Sequence, residues 1–558
     1  MISGGSMLKK QKASNNWDIL LFGLALLPLT WMLLAKCRYG FADIDESFYL
    51  TIPYRLCQGD RLLLNEWHLS QLAGWILKLP MGLFLKCGGG TDGICLAFRY
   101  LYVGFHLCGS IVLFSLLRRR SGLGAVLGCL FFYLYVPFGI SACSYNSMGI
   151  DFLALAAVLL VSCHRRWTDI LSGFCFAMAV LCCPYLVMLF ALYAAAVILC
   201  RKRPETLPFL GIRRFLFFLV GVLLPALCFL ADVVPYIPVR QYPRILSGML
   251  SDPEHQESFS FKLLQLIGIF PEHPFLIVLG LLTLASLTIP RVRNAADLLV
   301  LAVTGLGLWQ GRDYINNLML PLNMAGLYFY LVYRNSKARE LFWGIWIPGM
   351  VYALSIHLSS NQVYYAISSA FTVSTPASVI LILLTLSDRR KEMSPSLSRC
   401  LATLLVLVLA FQGGLEGYLR WNQVFWSSGP QYQTQLLAEG PHKGLLVTPE
   451  AQEKYLANLE KASHLAPGGS LLSVSRETYF YLFGSRTNSS YTAWLGTRPD
   501  VIPPYLDLYY DINPDKLPDQ VLIQPDYALC TSYFTKDLGY SLAYAFDDGA
   551  VILSRPNP

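Results

Sequence analysis

Residues 41–49 read Phe-Ala-Asp-Ile-Asp-Glu-Ser-Phe-Tyr, and they follow the first long apolar run of the chain, residues 18–35. That run has about the length that an α-helix needs to cross the hydrocarbon core of a bilayer. Asp43, Asp45 and Glu46 therefore come just where the chain leaves the membrane. Carboxylates are costly inside hydrocarbon, but at its edge they can be held partly desolvated. Partial desolvation raises the pKa of a carboxyl group and makes it a better general base.

The same stretch also fits a purely structural role. Asp43 and Glu46 have the spacing of a capping-box variant, which would begin an amphipathic helix with Phe48 and Tyr49 on its apolar side. The two interpretations can hold together, and the sequence leaves both open.

The composition of the 558-residue chain is that of a polytopic membrane protein. Hydrophobic residues make up 55% and charged residues only 14%, and the mean hydropathy is +0.48. A soluble protein of this size would be far less apolar. The formal net charge is +8, but the basic residues lie in short clusters between apolar runs. Clusters in that position indicate membrane topology rather than a nucleic-acid partner.

About 13 apolar runs are predicted to cross the membrane, with the amino terminus in the cytoplasm and the carboxyl tail outside. Basic clusters separate the runs, and if each cluster faces the cytoplasm, an even number of spans lies between successive clusters. The first run is too long for a cleaved signal peptide and is expected to remain as an anchor. The predicted spans are residues 18–35, 94–117, 122–138, 148–163, 170–183, 185–200, 215–234, 275–289, 298–310, 315–332, 341–357, 363–386 and 401–418.

Three long segments fall outside in this topology: residues 37–92, 235–274 and the tail. Within the first, residues 69–85 are apolar but interrupted by Lys and Pro, which favours helices lying along the interface. The tail, 421–558, alternates short β-like runs with one helical stretch, which predicts a small extracytoplasmic α/β domain. The rest of the chain, 1–420, is predicted to be a helical membrane module.

Cysteine usage does not indicate a disulfide framework. Most of the 15 cysteines lie inside or beside apolar runs, and the tail holds only Cys530. In the first outer segment, Cys57 could pair with Cys87.

The layout of the chain resembles the GT-C superfamily of integral membrane glycosyltransferases. It is similar to the bacterial branch that includes the lipid A aminoarabinose transferase, and to the protein O-mannosyltransferases. Residues 45–49 match the acidic motif that these families carry after their first span. Residues 311–317 look like the start of a Gly-Arg-x-Tyr-x-His-Tyr-x-x-x-x-Pro pattern on a later external turn, and Pro321 lies one position before the Pro of that pattern. Asn316 and Asn317 stand where a His-Tyr pair is usual, which is a departure from the pattern.

The resemblance implies an inverting transfer of a sugar from a polyprenyl-phosphate carrier to an acceptor hydroxyl or amine on the outer face of the membrane. Such a reaction needs one base for the incoming nucleophile and cationic donors for the phosphate that leaves. We expect Asp45 to be the base and Glu46 to bind the acceptor or position Asp45. Asp43 is the alternative base. Like charges this close should not ionise equally readily, which would help to raise one pKa.

Polar residues on the outward segments are candidate substrate-binding residues, each with a structural alternative such as a turn, a solvated loop or an interfacial side chain. Arg312 is the first candidate for the phosphate, because it lies on an outward turn within a motif. The full set of candidates is Tyr49, His68, Asn146, Arg240, Arg244, Arg312 and Tyr314.

The implied partners are a polyprenyl-phosphate sugar donor, an envelope glycan, lipid or protein acceptor, and membrane lipids. The expected location is a bacterial cytoplasmic membrane. Asp43 and Asp45 resemble the Asp-x-Asp of some metal-dependent transferases, but this branch generally needs no metal, so we expect no cofactor. The rival function is a transporter or flippase of a lipid-linked saccharide, which usually leaves ionisable residues in mid-span and some internal symmetry. A scaffold that displays the tail would have no special need for Asp45 or Glu46.

Overall fold

The computed structural model describes residues 16–41, 44–200, 207–250, 258–359, 363–425, 427–496 and 498–556. Asp43, the predicted alternative base, lies outside the described residues. The predicted fold class is confirmed: a helical, apolar module is followed by a small region that contains a sheet.

The helices up to residue 422 account for every predicted span. A π-helical segment, Phe342–Trp346, joins α15 to α16. The helices are α1 (Trp17–Lys36), α2 (Asp45–Cys57), α3 (Leu72–Gly88), α4 (Ile94–Leu117), α5 (Gly122–Leu134), α6 (Tyr145–Ser162), α7 (Arg166–Cys182), α8 (Val187–Leu199), α9 (Ile212–Val233), α10 (Tyr242–Leu250), α11 (Phe259–Glu272), α12 (Pro274–Thr288), α13 (Arg293–Gln310), α14 (Met319–Tyr333), α15 (Arg339–Leu341), α16 (Ile347–Ser359), α17 (Val363–Ala370), α18 (Thr375–Arg389) and α19 (Pro395–Asn422).

In the described part of the chain, eight helices are long and apolar enough to cross a membrane. A ninth span results if α11 and α12, which meet at an angle of 84°, are counted as one broken span. The other predicted spans form shorter helices, α5, α7, α8 and α14. The chain is therefore an integral membrane protein, while the count of 13 spans and the orientation in the membrane stay predictions.

The first outer segment folds into two helices. The predicted interfacial stretch forms α3, and the acidic motif begins α2. Asp45 and Glu46 lie in the first turn of α2 and Arg55 lies in its last turn. This distribution suits the helix dipole, because negative charge is favourable at the amino end and positive charge at the carboxyl end. Cys57 and Cys87 are both free, as are the other described cysteines.

The tail has a mixed five-stranded sheet in the order β4-β3-β5-β7-β6. Strand β3 is parallel to β4 and β5, whereas β7 is antiparallel to β5 and β6. The predicted β-like runs all coincide with strands, and the predicted helix is α20. The elements are β1 (Gln435–Leu436), β2 (Leu446–Val447), α20 (Pro449–Ser463), β3 (Ser470–Val474), β4 (Thr487–Asn488), α21 (Ile502–Ile512), β5 (Gln520–Ile523), β6 (Ser541–Ala545) and β7 (Val551–Ser554).

The tail packs directly on α2. The Thr51 hydroxyl donates to the carbonyl of Thr478 (3.3 Å), and the Tyr54 hydroxyl donates to the carbonyl of Gly484 (2.8 Å). The Gln58 side chain donates to the carbonyl of a third tail residue at 2.8 Å. These bonds come from the carboxyl half of α2 and the residue that follows it, so the tail holds this part of the helix that carries the acidic motif.

Candidate active site

Asp45 is the first residue of α2, and its side chain is partly buried. No hydrogen bond or ion pair joins its carboxylate to any described residue. Burial raises the pKa of Asp45 to about 6. A carboxyl group with this pKa is mostly ionised at pH 7 and still accepts a proton readily, which are the properties of a general base.

Tyrosines from three elements lie around Asp45. Tyr49 is one turn further along α2, and its ring meets the ring of Tyr145, at the start of α6, with a centroid distance of 5.8 Å. Burial raises the pKa of Tyr49, and the charge of Asp45 raises it further. Burial also raises the pKa of Tyr314, on the turn before α14, with smaller contributions from Tyr365 and Asp45. The structure thus brings the acidic motif together with Tyr314 of the second predicted motif.

Glu46 has a very different environment, although it is the next residue. It is buried, and both of its oxygens accept from Arg99: Oε1 from Nε at 2.5 Å and Oε2 from Nη2 at 2.6 Å. The residue at the N-cap position of α2 is Ile44, which makes no side-chain capping bond. Among the described residues, Glu46 is therefore an ion-pair partner, and the predicted capping box with Asp43 falls on a residue that the structure does not describe. The contacts of Glu46 favour a positioning role over binding of the acceptor, and both roles stay predictions.

Ser47 and Ile44 connect the first turn of α2 to the tail. The Ser47 hydroxyl lies 3.3 Å from Nε2 of His442, and Thr478 donates from its hydroxyl to the carbonyl of Ile44 at 3.1 Å. His442 is fully buried, and its ring packs against Phe41 at a centroid distance of 4.4 Å. Burial lowers the pKa of His442 to about 3, so the ring is neutral at physiological pH.

Arg312 is exposed and folds back on the helix before it. Its guanidinium lies 4.4 Å from the centre of the Trp309 ring, and Nη1 donates to the Trp309 carbonyl at 2.8 Å. It lies two residues from Tyr314, which is close to Asp45. This is the conformation of an interfacial arginine that can still reach a nearby anion.

The other two candidate arginines lie on the second outer segment. Arg244 pairs with Asp511 of α21. Arg240 is exposed, and no described contact joins it to the acidic motif. The structure does not bring either arginine to Asp45 within the described residues.

His68 and Asn146 lie beside the site in aromatic and polar surroundings, respectively. The His68 ring packs edge-on against Phe48 of α2 (4.6 Å) and stacks on Trp494 of the tail (6.0 Å). Asn146 is buried in the first turn of α6, next to Tyr145. Substrate contact by either residue stays a prediction.

Asn316, which stands where the pattern usually has His, is a structural anchor. It is fully buried, and its Oδ1 accepts from the backbone N–H of Phe138 (2.8 Å) and from the Tyr135 hydroxyl (3.3 Å). The amide therefore ties the turn before α14 to the segment that follows α5.

Sequence reasoning missed two buried arginines. Arg99 lies near the amino end of α4, and Arg55 lies in the last turn of α2. Arg55 donates from Nε to Asp60 (2.7 Å) and from Nη1 to Glu66 (2.8 Å), and Lys516 pairs with the other oxygen of Asp60. The signal that could have found them is an arginine within an apolar run. A charge in such a place needs a partner, so it predicts a buried ion pair.

A groove of about 960 Å³ lies where the carboxyl end of α2 meets α3, α7 and α9. Most of its lining is apolar, and its polar edge carries Lys78, Lys86 and Asp232. Asp232 accepts from Lys78 (3.2 Å), Arg61 (2.7 Å) and the Trp75 indole (3.1 Å). Sequence analysis did not single out these lysines.

No protein-family model matches the chain, and no curated protein matches its sequence. Among solved structures, apo ArnT from Cupriavidus metallidurans is 12% identical over 97% of this chain and 98% of that chain, with a TM-score of 0.46. The same protein bound to undecaprenyl phosphate is 15% identical over the same shares, with a TM-score of 0.41. The archaeal oligosaccharyltransferase AglB from Archaeoglobus fulgidus, in complex with an inhibitory peptide and a dolichol-phosphate, is 11% identical over 93% of this chain and 70% of that chain, with a TM-score of 0.49.

Proposed function

We propose that this chain is a GT-C-type membrane glycosyltransferase that moves a sugar from a polyprenyl-phosphate carrier to a hydroxyl or amine of an envelope acceptor. The observation that supports this most is the state of Asp45. A partly buried carboxylate with no partner among the described residues and a raised pKa stands at the start of the first helix after the first span. That is the place where the family that the sequence resembles has its acidic motif.

In the proposed reaction, the acceptor oxygen or nitrogen attacks the anomeric carbon of the sugar while Asp45 takes the proton of the acceptor. The bond between the anomeric carbon and the phosphate oxygen breaks, and its electron pair leaves with the polyprenyl phosphate. Attack from the opposite side inverts the configuration. The hydroxyl groups of Tyr49, Tyr145 and Tyr314 can donate to sugar or phosphate oxygens in this step.

The groove at the other end of α2 supports a substrate with a lipid tail. Its mostly apolar lining suits part of a polyprenyl chain. The groove lies at the opposite end of α2 from Asp45, roughly 18 Å away at a rise of about 1.5 Å per residue. It therefore suits the tail of the donor rather than the phosphate, which must lie beside Asp45.

The test is transfer in detergent by the purified full-length protein, with a panel of radiolabelled polyprenyl-phosphate sugars and a crude cell-envelope fraction as acceptor. We expect the wild type to move label and Asp45→Asn to be about 10²- to 10⁴-fold slower, because that is the usual contribution of a general base. Asp511→Asn makes the same change at an exposed position of the tail and should transfer at the wild-type rate.

Two outcomes would contradict the proposal. If no donor in the panel is transferred or hydrolysed, a transporter becomes the better interpretation, and movement of a fluorescent lipid-linked saccharide across vesicles would show it. If Asp45→Asn transfers as fast as Asp511→Asn, another group is the base.

A further inference from the structure

Arg99 uses its whole guanidinium on the segment that carries the acidic motif. Besides the two bonds to Glu46, Nη1 donates to the carbonyls of Cys37 (2.6 Å) and Tyr39 (3.3 Å), and Nη2 donates to the carbonyl of Gly40 (2.7 Å). An arginine side chain has five N–H groups in a fixed fork, and five acceptor contacts are present here. Arg99 itself is 1% exposed.

These contacts hold the chain on both sides of the motif. Three of the acceptors lie before it, at the end of α1 and just beyond, and the carboxylate lies in the first turn of α2. Because Asp45 is covalently next to Glu46, fixing the Glu46 side chain and the preceding backbone also fixes the backbone position from which the Asp45 side chain projects. The planar fork of Arg makes this arrangement possible, whereas the single ammonium group of Lys could not reach all these acceptors.

The ion pair of Glu46 and Arg99 also determines the net charge beside Asp45. Glu46 and Arg99 cancel each other, so an adjacent carboxylate adds no net charge at Asp45. Among the described residues, the other titratable groups around Asp45 are Tyr49 on α2, Tyr145 on α6 and Tyr314 before α14. Phenols are neutral at physiological pH. Breaking the ion pair would therefore leave one net charge on the residue next to Asp45 or on its former partner.

We infer that Arg99 is the positioning residue for Asp45, acting through Glu46 to fix the backbone position from which the carboxylate projects and to cancel the neighbouring charge. This inference rests on the proposed function for the role of Asp45 as a base. The effect of Arg99 and Glu46 on the protonation of Asp45 can be measured without any transfer reaction.

The experiment measures the protonation of Asp45 directly. Carbodiimide reacts with protonated carboxyl groups, and peptide mass spectrometry gives the extent of labelling at Asp45 as a function of pH. The samples are the full-length wild type, Glu46→Gln, Arg99→Gln and the double variant. Transfer by the same samples gives kcat and KM, and circular dichroism checks that each is folded.

We expect the two single variants to move the labelling midpoint in opposite directions. Glu46→Gln leaves the positive charge of Arg99 unpaired, which favours ionised Asp45 and lowers the midpoint by about one pH unit. Arg99→Gln leaves a negative charge and raises the midpoint by a similar amount. The double variant should return close to the wild type. In transfer, the single variants should lose kcat at least about tenfold, with KM for the donor nearly unchanged.

Arg99→Gln leaves a carboxylate buried without a partner and is expected to be less stable. Glu46→Gln has the same shape as the wild type and carries the test if Arg99→Gln does not fold. A labelling midpoint that stays at the wild-type value in Glu46→Gln would overturn the inference, whatever happens to transfer. Opposite shifts without transfer of any sugar would support the positioning role while the proposed function fails.

Discussion

The two ends of α2 hold acidic residues in opposite states. At the amino end, Asp45 is partly buried with no partner among the described residues. At the carboxyl end, Arg55 is fully buried between Asp60 and Glu66 and also donates to the carbonyls of Asn65 (2.7 Å) and Ser490 (3.0 Å). The 13-residue helix thus begins at a carboxylate with no partner among the described residues and ends near an arginine that is held in an ion-pair network.

The difference shows how this helix combines stability with reactivity. A buried charge is tolerated when its partners and hydrogen bonds replace water, and then it fixes the structure around it. An unpaired carboxylate is less stable when ionised, which is why it accepts a proton readily. The network at the carboxyl end joins α2 to the tail through Ser490, so it holds in place the helix that carries the proposed base.

The largest expected effect comes from breaking the saturated end. Arg55→Gln leaves Glu66 buried without its cation, so we expect the free energy of unfolding to fall by about 3–5 kcal/mol. Thermal unfolding in detergent measures this. Arg61→Gln removes a partly exposed partner of Asp232 and should cost only about 0.2–1 kcal/mol. Equal losses in the two variants would mean that the network adds nothing beyond a surface pair.

The pH dependence of the transfer rate tests the ionisation of Asp45 at the amino end of α2. Asp45 must be ionised to act as a base, and burial raises its pKa to about 6. The rate should therefore be flat above about pH 7 and fall about tenfold for each pH unit below about 5. The Asp511→Asn control should keep this profile. A profile with its midpoint near pH 4, the ordinary value for Asp, would show that Asp45 is not desolvated in the working enzyme.

The linkage between protonation and folding has a definite sign here. Because the folded protein raises the pKa of Asp45 from 3.8 to about 6, protonation of this group favours the folded state. Its contribution is therefore present below pH 4 and is lost as the pH rises through about 6.

Removing a single tyrosine hydroxyl near each end of α2 separates an effect on stability from an effect on transfer. Tyr54→Phe deletes the bond to the Gly484 carbonyl and should lower the free energy of unfolding by about 0.5–1.5 kcal/mol with kcat unchanged. Tyr49→Phe should slow transfer several-fold with little loss of stability, because the charge of Asp45 acts on its phenol group and no described hydrogen bond of its hydroxyl is lost. Thermal unfolding and kcat are measured on both variants. Identical behaviour of the two would remove the distinction between the ends of α2.

The smallest effect is expected at Arg312. Because this arginine is exposed and already stacks on Trp309, Arg312→Ala should raise KM for the donor only up to about fivefold. Arg240→Ala, also at an exposed arginine of an outer segment, is the control and should leave KM unchanged. If Arg240→Ala raises KM more, the second outer segment is closer to the donor than the described contacts indicate.

The sequence by itself determined the apolar helices and, in the tail, four strands and one helix. Hydrophobic run lengths depend on local composition, so each predicted span coincides with a helix, and the β-like runs of the tail coincide with strands. The position of Asp45 at the edge of the first span also follows from the sequence, because a carboxylate next to an apolar run is costly to place inside the hydrocarbon core. The role of Asp45 as a base stays a prediction.

The tertiary structure decided that Glu46 is paired while Asp45 has no partner among the described residues. Asp45 and Glu46 are neighbours of similar chemistry, and nothing local tells them apart. Their difference depends on Arg99, which is 53 residues away from Glu46 in the chain. Likewise, only the fold places the tail on α2 and Tyr314 beside Asp45. Long-range partners set burial and pairing, and those two quantities decide whether a carboxylate holds the structure together or reacts.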